Sequence, residues 1–91
     1  MFFEEKNNLD EKTLDMKRAI DSLKEEMEAV DSYNQRADAT NDSELKQILQ
    51  HNADEEKEHA SMLIEWIRRN DPTMDKELKD WVFTEKAFQH E

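Results

Sequence analysis

The stretch Asn52–Trp66, NADEEKEHASMLIEW, decides how the chain is read, and within it the pair Glu56 and His59. On a helix advancing about 100° per residue, with Leu45 as origin, Leu49, Ala53, Ala60, Leu63 and Ile67 fall within roughly 80° of one direction. Glu56 and His59 fall about 20° and 40° from it, in the middle of that apolar stripe, while Asp54, Lys57 and Glu58 point away. Side chains at i and i+3 stand one above the other on the same side of a helix. A carboxylate on an apolar face without a partner is costly. A metal ion is the strongest candidate for its compensation.

Working outward, the helix that carries this stretch is predicted over about 43–70. Asp42 or Ser43 supplies its cap, Arg68 and Arg69 suit its C-terminal dipole, and Asp71-Pro72 stops it. The polar break DATNDSE at 38–44 is short, which implies an antiparallel neighbour. That neighbour is a first helix over about 9–38, on which Met16, Ile20, Leu23, Met27 and Val30 form a heptad-like seam for pairing, with Ala19 and Ala37 at its edge. Of three closely spaced glutamates, only Glu26 readily faces that seam, and Tyr33 lies nearly above it. Glu25 and Glu28 fall among solvated positions. The segment 1–8 is expected to be a loose arm or a short contact segment. A third, shorter helix is predicted over about 73–88. Its Trp81, Val82, Phe83, Ala87 and Phe88 are expected to meet another chain or to fold back on the hairpin.

Composition narrows the classes. The 91 residues allow one small domain, 1–91, and the all-α fold class follows from 35% hydrophobic and 41% charged residues, no Gly and one Pro. A hairpin this small gains stability by association, so an antiparallel two-helix hairpin plus a short C-terminal helix is expected to complete a four-helix bundle by dimerisation. The absence of Cys excludes disulfides and thiolate sites. A formal net charge of −11 argues against nucleic acid and anionic membranes and favours cationic partners. No run is apolar enough to span a bilayer and the start lacks the pattern of a signal peptide, which points to a cytoplasmic protein.

Counting ligands sharpens the reading. Di-iron carboxylate bundles use a Glu from each of two helices and a Glu-x-x-His from each of two others. This chain supplies one of each, Glu26 and Glu56 with His59, which is half of a four-helix site. Two hairpins about a two-fold axis would assemble the whole. Mixed oxygen and nitrogen ligation suits iron, and also manganese and zinc. Such a site is suited to oxidising Fe(II) with dioxygen, and Tyr33 is placed either to hydrogen-bond a ligand or to fill the core. Two outer sets, His51 with Glu55 and Glu58, and Glu25 with Glu28, are either secondary metal sites or a solvated acidic face. Against the enzyme stand a metal-binding protein without turnover and a structural module whose polar layer fixes register.

With those residues in place, the sequence resembles the encapsulated ferritins, through EEMEAVDSYNQRADA at 25–39, ILQHNADEEKEHASMLIEWIRRND at 48–71 and, more loosely, WVFTE at 81–85. The resemblance implies metal ligands at Glu26, Glu56 and His59 with Tyr33 nearby, and a ferroxidase centre formed only between two subunits. It further implies a ring of dimers, commonly a decamer, and an encapsulin shell that stores the iron and encloses the protein in a nanocompartment. Two departures stand out. Ser32 occupies a position where a tryptophan is expected, and no encapsulin-targeting tail is seen after His90 and Glu91.

Overall fold

The computed structural model describes residues 1–89; the chain end at His90 and Glu91 lies outside them. A 3-10 turn at Lys6–Asn8 leads into helix α1, Glu11–Ala39, followed by α2, Ser43–Asn70, and α3, Pro72–Trp81. An aspartate caps each helix start. Asp10 accepts from the backbone N–H of Thr13, Asp42 from that of Leu45, and Asp71 from those of Thr73 and Met74. Pro72 then sits where its missing N–H costs nothing, at the start of α3.

The α1 and α2 helices pack as an antiparallel hairpin, and α3 packs on α2. The buried seam reads as two heptad rows. On α1 it runs through Ala19, Leu23, Glu26, Val30, Tyr33 and Ala37, and on α2 through Leu49, Ala53, Glu56, Ala60, Leu63 and Ile67. Ala19, Val30 and Ala37 are buried, as are Ala53, Ala60 and Ile67. The seam expected on α1 is therefore corrected by a rotation. Ile20 and Met27 stay about half exposed, while Ala19 and Ala37 lie inside rather than at an edge. The reason is size: small alanines on the facing sides let two backbones approach closely, and Val30 and Ile67 each contribute about 1.5–3 kcal/mol once that approach is made.

Two further expectations change. The arm is not loose: the Lys17 ammonium donates to the Met1 carbonyl and to Asp21, and lies 4.7 Å from the centre of the Phe2 ring. The third helix ends at Trp81 rather than near residue 88. Trp81, Val82, Phe83 and Thr84 are a run of poor helix formers. Val82 is extended and Phe83 adopts φ 60°, a left-handed conformation unusual for an aromatic residue. Beyond it the chain folds back so that Phe88 stacks on Trp81 at 5.9 Å. Arg68 joins α2 to α3, donating to Glu65 and to Asp75.

Candidate metal centre

The three-residue break Thr40–Asp42 sets the site. Glu26 and Glu56 are each fifteen residues from Asn41, so an antiparallel hairpin turning there brings them opposite one another, about 22 Å from the turn. One helical turn after Glu56, His59 leans over the same level. His59 Nδ1 lies 3.5 Å from Glu26 Oε2 and 3.4 Å from Glu56 Oε2. One ligand atom from each residue falls within 4.8 Å of the others, and among the described residues no other group of His, Asp and Glu comes together in this way. Ligands about 2.0–2.2 Å from a shared ion stand within roughly 4.4 Å of each other, so a closure of a few tenths of an ångström turns the cluster into a coordination shell.

Burial supports that fit. The Glu26 and Glu56 side chains are each 24% exposed and the His59 side chain 48%. Glu26 Oε2 is shielded from solvent and has no hydrogen-bond partner among the described residues; the His59 contact is at the limit of distance and fails as a hydrogen bond. A buried carboxylate oxygen without a donor is an unmet demand for positive charge. Two carboxylates and one imidazole are hard and borderline donors, the set that iron, manganese and zinc accept. Three ligands leave such an ion open on its other side. His59 is the most exposed of the three.

The remaining candidates are not among these three ligands. Tyr33 is half-buried on the α1 seam, and Ser32 is half-buried beside it. Glu25, Glu28 and Glu58 are exposed on the outer faces. His51 Nε2 lies 3.6 Å from Glu55 Oε1, both side chains being largely in solvent. The Glu65–Arg68–Asp75 link escaped the sequence reading. Glu65 and Arg68 show a familiar i, i+3 spacing, but Asp75 reaches Arg68 only because the chain bends at Pro72.

Comparison with known proteins bears on this geometry. A crystal structure of protein ne0167 from Nitrosomonas europaea superposes with a TM-score of 0.93 at 63% identity, covering 98% of both chains. An encapsulated ferritin-like protein from Rhodospirillum rubrum is 56% identical over 77 residues, which are 85% of this chain and 55% of that protein. A ferritin-like protein from Thermotoga maritima is 49% identical over 96% of this chain and 76% of its own length. The encapsulin nanocompartment cargo protein EncC of Myxococcus xanthus is 39% identical over 67% of this chain and 47% of its own. The chain thus spans about half the length of two of these curated relatives. A family model described as EncFtn-like matches residues 1–85, taking in both helices of the hairpin and all three members of the cluster. On that match and these identities, the chain belongs to the EncFtn-like family.

Proposed function

We propose that the protein is a ferroxidase, oxidising Fe(II) to Fe(III) with dioxygen at a di-iron centre shared between two subunits. The observation that carries this is the cluster itself: Glu26, Glu56 and His59 converge from two helices, and Glu26 Oε2 is buried without a donor. One hairpin offers three ligands, and a two-fold partner offers three more, which is the ligand count of a dinuclear carboxylate site. Iron is here the substrate. The carboxylates bind it, balance its charge and favour the higher oxidation state, while His59 fixes one face of the shell. Two neighbouring metals can deliver two electrons to one dioxygen. Tyr33, half-buried on the same seam seven residues beyond Glu26, is the residue assigned to hydrogen-bond a ligand of the centre.

The dimer also answers a packing demand. Ile20 and Met27 on α1, and Leu45, Ile48, Met62 and Trp66 on α2, leave apolar surface uncovered on the hairpin. The reading extends to a ring of such dimers, a decamer, acting as cargo within an encapsulin shell that stores the iron. The names of the relatives from R. rubrum and M. xanthus support that extension. A second reading, a structural polar layer without metal, draws on the mutual contacts of His59 with both glutamates.

Native mass spectrometry of the metal-free protein before and after anaerobic Fe(II) loading separates the two. The expected result is two irons per pair of chains, followed by rapid Fe(III) formation on admitting air. An oligomer that takes up no iron would leave the structural layer as the function. Co-expression with an encapsulin shell protein, followed by isolation of the shells, tests the cargo reading: it predicts that the chain travels inside them.

A further inference from the structure

We propose that the N-terminal arm is an autoinhibitory strap on the dimerisation face, one that swings away before two hairpins close the shared centre. The inference rests on the ferroxidase reading, which needs that face covered by a second copy. The arm and the face meet in one open cleft of about 610 Å3. Residues 1–4 form one wall, and Leu9, with Met16 and Ile20 of α1, forms the other. Ile20 is 45% exposed and shares its stripe with Met27, seven residues on, which the hairpin also leaves uncovered. A partner seated on that stripe competes with the arm for the same surface.

One side chain holds the strap. The Lys17 ammonium, on the same side of α1 as Ile20, donates to the Met1 carbonyl and lies 4.7 Å from the centre of the Phe2 ring. It divides its donors with Asp21, at 2.9 Å. Among the described residues no other hydrogen bond ties 1–4 to α1. Packing adds little, since Phe3 stays 89% exposed and the cleft between arm and helix is unfilled. Glu4 also lines the cleft, so the arm brings negative charge to a face where two chains of net charge −11 must meet. Apolar side chains of a second copy fill that cleft better than the arm does, and the arm therefore leaves the interface rather than joining it.

A closed strap lowers the apparent affinity of association by the fraction of open chains, and a dimer needs two open arms, so the factor enters twice. A cation–π contact and a charged hydrogen bond each shift an equilibrium by a factor of a few. Lys17→Ala and Phe2→Ser are therefore expected to lower the concentration for half-association by about ten-fold. The direction is diagnostic. Lys17→Ala makes an acidic chain more acidic and Phe2→Ser removes apolar surface, so by charge and burial alone both would weaken association. Lys17→Arg, which keeps the charge and the donors, is expected to match the wild type. Sedimentation equilibrium on the full chain, in chelator and in anaerobic Fe(II), reads the association. Stopped-flow absorbance reads Fe(III) formation, which is expected to rise in the two released variants at limiting protein and to equal the wild type at saturating protein, because the ligands are untouched. Weaker association in Lys17→Ala and Phe2→Ser would make the arm part of the interface and overturn the proposal. Unchanged association would overturn it too, and either result leaves the ferroxidase reading standing. Chains that neither associate nor oxidise iron, wild type included, would overturn both.

Discussion

His59 Nδ1 lies 3.5 Å from Glu26 Oε2, although 33 positions separate the residues in sequence. Every property assigned to the centre depends on this contact across the hairpin. The Glu56–His59 pair needs only one helix, whereas Glu26 joins it only when α1 and α2 are correctly registered.

Removing any ligand is expected to abolish rapid iron oxidation while leaving the helices intact. For Glu26→Ala, Glu56→Ala and His59→Ala, the fall in metal affinity should exceed the roughly 10–100-fold that loss of an outer partner costs a metal site. Stopped-flow absorbance with Fe(II) reads the activity, and far-ultraviolet circular dichroism reads the helices. Unchanged oxidation in all three variants would refute the assignment.

Activity and stability should part company at Glu26. In the absence of metal its shielded oxygen lacks a donor, so Glu26→Met, which restores an apolar seam, is expected to stabilise the metal-free protein by about 1 kcal/mol. For a chain of this size that corresponds to a rise of roughly 4–8 °C in Tm. Thermal melts in chelator measure it. A lower Tm would mean that Glu26 has a structural partner.

Close packing is expected to govern the site as strongly as its ligands. Ala53 and Ala60, one turn either side of Glu56, are buried where the helices approach. Ala60→Leu should force the helices apart at a cost of about 1–3 kcal/mol. It should also weaken Fe(II) binding, because Glu26 and Glu56 then separate. Titration of Fe(II) under anaerobic conditions, with denaturation curves on the same sample, reads both effects.

Acid should loosen α3 from α2. The guanidinium of Arg68, with that of Arg69, holds the Glu65 carboxyl down to about 2 from its ordinary 4.5. Asp75 is lowered too, by Lys79 and then Arg68. A depressed carboxylate adds stability that is complete above its free value and is lost as pH falls through the folded one. The contribution therefore fades between 4.5 and about 2. Trp81 fluorescence should report loosening of α3 across that window, and Arg68→Gln should remove this component of the acid response.

Much of this was legible in the sequence, for physical reasons. Aspartate caps and the Asp71-Pro72 stop fall at residues whose chemistry marks helix ends, so α2 was readable almost to the residue. Glu56 and His59 were visible because a charge inside an apolar period is conspicuous. The α1 seam was harder. Met16, Ile20 and Met27 are more hydrophobic than Ala19 and Ala37, yet close approach of two backbones selects small residues. The end of α3 was also hidden, since aromatic residues fit helical spacing while Val82 and Phe83 adopt other conformations. The anchoring of the arm depends on Lys17, whose contact with Met1 spans sixteen residues and leaves no local signature.

The equal fifteen-residue arms on either side of Asn41 make the hairpin a calliper with its hinge at Thr40–Asp42. One residue inserted within either helix between the hinge and the centre would turn that jaw by about 100° and slide it by about 1.5 Å, carrying its glutamate off the seam. An insertion at the hinge leaves both jaws in phase with their own seams. Length variation is thus tolerable at the tip of the hairpin and prohibitive along its arms, and the spacing between Glu26 and Glu56 is as much a part of the centre as the carboxylates themselves.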